Sequence, residues 1–298
     1  MSYIITTSDL TKQYREVTAV DSVDLHVEEG AVYGLIGRNG AGKTTILKML
    51  AGLAFPTSGS ITIGNGSRKP RIGVLIEEPG LYRSLTALEN MEIKRIALGS
   101  PDSPERSRQL LEFVGLMNWA DVRCGSFSLG MRQRLSIALA LSGDPDILIL
   151  DEPINGLDPQ GIHDVRTVLS RLNQESGKTI VISSHLLDEL SKVATVYGIL
   201  DRGRLVKEAG EEEILNSMPA YVRFIVDDTL AAKTVLESMG IFSYQTKSQH
   251  MIHVLEQFAR RDEMLEKMIM AGIHVHECQV VRESLETYFM GITKEDRV

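Results

Sequence analysis

Gly37-Arg38-Asn39-Gly40-Ala41-Gly42-Lys43-Thr44-Thr45 lies between the apolar run Val32-Tyr33-Gly34-Leu35-Ile36 and the helical pattern Ile46-Leu47-Lys48-Met49-Leu50. The order is strand, glycine loop, helix, and the spacing fits G-x-x-x-x-G-K-[ST]. A loop with so little side-chain bulk lets several backbone N–H groups converge on phosphate oxygens. The helix that follows turns its positive N-terminal end on the same point. Lys43 is spaced to reach β- and γ-phosphates, and the Thr44 hydroxyl to ligate the Mg²⁺ that accompanies them. The stretch therefore predicts an α/β fold with a nucleotide phosphate site.

Working outward, Ile147-Leu148-Ile149-Leu150 is a second apolar strand, delivering Asp151 and Glu152 at its C-terminal end. A helix over residues 161–175 and a strand over 178–184 follow, the alternation of a βαβ unit. Open parallel sheets bind ligands just outside their strand C-termini, so Glu152 and His185 are expected on the side of the glycine loop. Phosphoryl transfer asks a protein to position groups and neutralise charge. Asp151 is the candidate metal holder and Glu152 the candidate general base. Read alone, the two carboxylates fit a solvated loop start equally well, and His185 a helix cap or surface residue.

Upstream, residues 3–8 and 23–28 alternate as half-exposed strands around Leu10 to Tyr14, and Glu28-Glu29-Gly30 turns into the strand before the loop. After the first helix, Ser60 to Gly64 and Arg71 to Glu77 read as strands, the second running into Glu78-Pro79. Thr86-Ala87-Leu88-Glu89 has capping-box spacing, and Ser103-Pro104-Glu105 opens another helix, so residues 84–145 look mostly helical. Val196 to Leu200 and Arg204 to Lys207 flank the hairpin Asp201-Arg202-Gly203. The text changes near residue 217. Strands over 221–226, 244–249, 251–255 and 273–281, with helices over 230–239 and 258–270, give β-α-β-β-α-β, suggesting a small ferredoxin-like α+β domain over 217–298 that ends in a helix over 284–293. Glu211-Glu212-Glu213 is a solvated helix start.

A chain of 298 residues with 43% hydrophobic content suffices for one large domain and a smaller one. The formal net charge of −8, without a cluster of Lys and Arg, argues against nucleic acid as a partner. The first residues lack a positive region followed by an apolar stretch, and no uncharged apolar run approaches the roughly 18 residues of a membrane span. A cytoplasmic protein is expected. Cys124 and Cys278 have neither metal-ligand nor disulfide-framework spacing and are expected as reduced packing thiols.

Phe127-Ser128-Leu129-Gly130-Met131, ahead of the helical pattern 135–141, stands where the ATP-binding subunits of ABC transporters carry their L-S-G-G-Q signature. Over about residues 3–215 the order and spacing of motifs resembles that family. The resemblance implies a P-loop NTPase: a RecA-like core with an antiparallel β subdomain and a helical subdomain at about 84–145, in a cassette spanning 1–216. It implies that Tyr14, on its own an ordinary packing residue, stacks on adenine, and that Gly37, Arg38, Asn39, Gly40, Ala41, Gly42, Lys43, Thr44 and Thr45 cradle ATP. Ser128 and Gly130 match positions that touch the γ-phosphate of ATP held by a partner cassette, and Asp158 a dimer-contact loop. His185 matches a histidine that contacts γ-phosphate. Thr44, Glu77 and Asp151 fall on the family's Mg²⁺ side, with Glu77 where a glutamine is usual. A carboxylate there binds metal more strongly but adds negative charge near the phosphates. That substitution, with Pro79, Tyr82, Leu129-Gly130-Met131 and the ending Glu283 to Met290, is similar to the bacitracin and lantibiotic export branch. It implies a homodimer or paired cassette under an integral membrane permease of the ABC-2 type, docked near residues 78–100. A soluble ABC regulator of translation or DNA repair remains the alternative.

Overall fold

The computed structural model describes residues 2–64, 66, 68–77, 80–99, 103–255, 258–282 and 284–295, and the chain divides into two units, Met1–Glu212 and Glu213–Val298. The first unit begins with β1 (Tyr3–Tyr14), β2 (Val17–Val23) and β3 (His26–Glu28) and enters β4 (Val32–Gly37). The glycine loop leads into α1 (Lys43–Leu50), followed by β5 (Ser58–Ile63) and β6 (Ile72–Leu75). Then come α2 (Ala87–Ala97), α3 (Pro104–Phe113) and α4 (Leu129–Leu141), the helical segment expected between 84 and 145. β7 (Ile147–Asp151), α5 (Pro159–Ser176), β8 (Thr179–Ser184), α6 (Leu187–Leu190), β9 (Val196–Asp201) and β10 (Arg204–Gly210) complete it, and α7 (Glu211–Ser217) crosses the division.

Six strands form one sheet in the order β10-β9-β4-β8-β7-β6. All neighbours are parallel except β9 and β10, the antiparallel hairpin turned by Arg202 and Gly203. β4 and β8 are buried at every residue and β7 at all but Asp151. Continuous apolar strands of this kind belong to a sheet covered on both faces. Because β6, β4, β8 and β7 run the same way, Glu77, the glycine loop, His185 and Asp151 all leave the sheet at one edge. The antiparallel sheet, order β2-β1-β3 with β5 also on β1, contributes Ile5, Val20 and Val27, with Leu25 from the link between β2 and β3, to the core that holds Leu35, Ile46, Leu47 and Ile149.

One local expectation in this unit is corrected. Leu10 to Tyr14 is no connection but the far half of β1, and Val17–Val23 returns along it as a strand. The pairing register slips between Leu10 and Lys12 and again before Gln13, next to Asp9 at φ 50°. Such a bulge breaks the two-residue alternation that sequence reading relies on. Thr86 forms both halves of its capping box with Glu89, and α3 opens with Pro104 in its first turn as expected, without a side-chain cap from Ser103. Glu78 and Pro79, the expected continuation after Glu77, lie outside the described residues, as does Glu283.

The second unit runs β11 (Ala220–Val226), α8 (Thr229–Ser238), β12 (Tyr244–Ser248), β13 (Met251–Val254), α9 (Arg261–Met270), β14 (Val275–Arg282) and α10 (Leu285–Glu295). Its antiparallel strands pair in the order β12-β13-β11-β14. Val222, Phe224 and Ile252 on one sheet face pack with Leu236, Met264 and Met268. α9 begins later than the pattern from Phe258 predicts, after a 3₁₀ turn over Phe258–Arg260. Among the described residues no helix is long and apolar enough to cross a membrane.

Candidate functional site

The glycine loop is left-handed at Gly40 (φ 82°) and Gly42 (φ 104°). A Cβ on Gly42 would stand 2.5 Å from the carbonyl oxygen of Ala19, so only glycine fits. Ala41 is buried while Arg38, Asn39 and Gly40 are exposed, leaving the loop's outer rim open. Lys43 starts α1 and is only 6% exposed. Its ammonium donates to the carbonyls of Gly37 (2.6 Å) and Arg38 (3.4 Å) and lies 3.2 Å from Glu152 Oε1. A buried cation is tolerated only when so paired, and Glu152 is the one partner of the three on a separate strand end.

Thr44 Oγ1 donates to Asp151 Oδ2 at 2.8 Å, and the Ser183 hydroxyl donates to Asp151 Oδ1 at 2.6 Å. Ser183 Oγ also accepts from the Glu152 amide at 2.9 Å, tying β8 to the end of β7. Glu152 itself sits at φ 48°, a left-handed conformation that costs a non-glycine residue roughly 1–3 kcal/mol and persists only where its surroundings enforce it. The turn sends the chain aside and leaves the carboxylate facing both Lys43 and His185, whose Nδ1 is 2.7 Å from Glu152 Oε2. Six residues from two strand ends and one helix start, Lys43, Thr44, Asp151, Glu152, Ser183 and His185, are thus joined around two carboxylates.

Glu77 repeats the device at the end of β6, with φ 63° and its Oε1 2.5 Å from Lys48 Nζ. That hydrogen bond, opposed by slight burial, holds the Lys48 ammonium above the usual lysine range. Tyr14 ends β1 half exposed, with the Lys12 ammonium 4.9 Å from its ring centroid. Thr45 is partly buried in the first turn of α1.

Ser128, Gly130 and Asp158 form a separate group. Exposed Ser128 caps α4, its hydroxyl accepting from the Met131 amide at 3.2 Å. Asp158 caps α5, accepting from the Gly161 amide at 3.0 Å. A Cβ on Gly130 would stand 3.6 Å from Gly161 Cα, so the two helices start side by side. Among the described residues no hydrogen bond or ion pair joins this group to the glycine loop.

Three contributors escaped the sequence reading. Ser183 carried a signal, a hydroxyl two residues before His185, just after the apolar run Ile180-Val181-Ile182. Lys48 carried a weaker one, its place one turn after Thr44. Asn90 shows its role only in three dimensions. Buried at 3% exposure, its amide accepts from the Tyr82 N–H and donates to the carbonyls of Tyr82 and Thr86, tying Tyr82 to the start of α2.

The comparisons with known proteins agree with this geometry. A family model described as ABC transporter matches residues 20–155. The chain is 40% identical over 296 residues to the bacitracin transport ATP-binding protein BcrA of Enterococcus faecalis, covering 97% of this chain and 96% of that one. It is 44% identical over 204 residues to the lantibiotic transport ATP-binding protein SrtF of Streptococcus pyogenes, covering 67% and 88%. Among solved structures, the dimeric post-hydrolysis state of the ATP-binding cassette MJ0796, bound to ADP and Pi, aligns with a TM-score of 0.62 at 26% identity, over 70% of this chain and 98% of that one.

Proposed function

The chain belongs to the ABC transporter family of ATP-binding proteins, and on that premise we propose that it is the ATP-hydrolysing subunit of an exporter of peptide antibiotics of the bacitracin or lantibiotic kind. The printed functions of BcrA and SrtF support the substrate class. The observation that carries the catalytic reading is the joined cluster of Lys43, Thr44, Asp151, Glu152 and His185. Nothing comparable supports a regulator of translation or DNA repair.

ATP entering the loop offers Lys43 phosphate oxygens in exchange for Glu152. The released carboxylate accepts a proton from the attacking water as the water oxygen bonds to γ-phosphorus and the bond to the β,γ-bridging oxygen breaks. His185, already on Glu152, fixes that carboxylate and faces the γ-phosphate. Thr44 Oγ1, Asp151 Oδ2 and Glu77 make a set of hard oxygen donors that fits Mg²⁺, which when bound neutralises charge on the β- and γ-phosphates. Tyr14 stacks on adenine, and Gly37 to Thr45 cradle the phosphates.

Ser128, Gly130 and Asp158 close on the ATP of a second cassette, because a helix N-terminus capped only by its own serine is an anion site open to an outside phosphate. The dimeric state of MJ0796 supports this arrangement. The membrane partner is a separately encoded permease of the ABC-2 type, reached at the cytoplasmic face. Exposed Tyr82, Ile93, Ile96 and Leu98 offer it apolar surface, within the segment 78–100, of which residues 78, 79 and 100 lie outside the described residues. The strand order of the second unit supports reading residues 217–298 as a ferredoxin-like accessory domain.

The test is drug tolerance. Expressed with its permease in a susceptible bacterium, the chain should raise tolerance to bacitracin-type or lantibiotic peptides, and Lys43→Ala should abolish the gain. Unchanged tolerance to every such peptide, with both proteins present at the membrane, rejects the export reading.

A further inference from the structure

Building on the nucleotide-site reading above, we propose that Lys48 is a positioning residue whose charge balances Glu77 and thereby sets how tightly the site holds ATP before metal arrives. Thr44 and Lys48 are one turn apart on α1 and share a face. Thr44 meets Asp151 at 2.8 Å and Lys48 meets Glu77 at 2.5 Å. The first turns of α1 are therefore flanked by two carboxylates, onto which a triphosphate brings several more negative charges. Lys43 is committed to the loop and the phosphates, so Lys48 is the cation that leaves the Glu77 side neutral.

The backbone argues that the pairing is specific. Glu77 is held at φ 63°, which no carboxylate needs merely to reach solvent. Its side chain is 65% exposed and that of Lys48 31%, so the pair contributes little to folding. Its effect falls instead on whatever charge binds within a screening length, about 10 Å at 0.1 M salt. Lys48 is also within electrostatic reach of Asp151 and Tyr14, on the metal and adenine sides of the proposed site. With Lys48 in place, a carboxylate at position 77 can serve the metal without repelling metal-free ATP.

The experiment compares the full chain with Lys48→Gln, Glu77→Gln and the double variant, whose pairs carry net charges of zero, −1, +1 and zero. Dissociation constants for a fluorescent ATP analogue are measured in EDTA, with thermal unfolding as the control for folding. Lys48→Gln should weaken metal-free binding about fivefold and Glu77→Gln strengthen it about fivefold, the effect of one charge at intermediate range and screening. The double variant should return to within about twofold of the unmodified chain, Lys48→Arg should match it, and all differences should shrink in high salt. Equal affinities in all four proteins overturn the proposal and leave a surface ion pair. Weak binding in Lys48→Gln without recovery in the double variant also overturns it, by making Lys48 a direct phosphate ligand. If the unmodified chain binds no nucleotide under any condition, the glycine-loop reading fails and takes this role with it.

Discussion

The glycine-loop cluster and the Ser128 cluster satisfy their polar groups in opposite ways. Around Lys43 the buried and half-buried charged groups already have intramolecular partners, Glu152 at 3.2 Å and His185 beyond it, and the backbone at Glu152 is bent into the left-handed region to keep them together. Around Ser128 and Asp158 the caps serve only their own helices, and Ser128 faces outward. The first cluster is a closed set of contacts, which the proposed binding of ATP would have to exchange. The second is an open one, which the proposed function uses on a second cassette.

Substitutions separate the two. Glu152→Gln strikes the first at the proposed general base, so steady-state ATP hydrolysis with the permease present should fall about a hundredfold or more while nucleotide binding persists. A rate within about threefold of the unmodified chain would remove Glu152 from the role of base. Gly42→Ala attacks the same cluster through its backbone. The left-handed φ and the Ala19 oxygen 2.5 Å from the new Cβ should lower unfolding free energy by roughly 1–3 kcal/mol in denaturant titrations, with loss of ATP binding. Ser128→Arg places bulk and charge on the open cluster. It should leave ATP affinity of the single cassette within about twofold and cut turnover about tenfold, a cost of about 1.4 kcal/mol. If it instead weakens ATP binding to the isolated chain, the two clusters are not separate.

An ion pair outside both clusters supplies the smallest effect. Lys178 Nζ lies 2.7 Å from Asp144 Oδ1. That hydrogen bond first, with burial opposing it and the positive Lys178 and Arg71 assisting, holds the Asp144 carboxyl below the ordinary aspartate range. A carboxylate depressed by folding contributes stability that is complete above its unfolded pKa, near 3.9, and is lost as pH falls through the folded value. Asp144 is half exposed, so Lys178→Met should cost only about 0.5 kcal/mol at neutral pH. The difference from the unmodified chain should fade in unfolding measurements below about pH 3, with ATP affinity unchanged throughout.

The first cluster was legible because its chemistry coincides with strand ends. Asp151 and Glu152 follow an apolar run directly and His185 comes two serines after another, and a parallel sheet leaves such ends one destination. Where the two-residue alternation is interrupted the reading faltered: the bulge near Asp9 concealed that Leu10 to Tyr14 continues β1. Supporting contacts were hidden for another reason. Nothing local in Lys48 or Asn90 announces a partner that is 29 residues away in one case and a backbone loop in the other. The left-handed backbone at Glu77 and Glu152 was likewise invisible, since glutamate has no preference for it.

The most direct measurement is the solution mass of the Glu152→Gln chain, by light scattering, with ATP and Mg²⁺ and again with ADP. A cassette completed across a dimer predicts twice the chain mass with ATP only, reverting to one chain mass when Ser128→Arg is added. A single-chain mass with saturating bound ATP, or a dimer indifferent to Ser128→Arg, would contradict it.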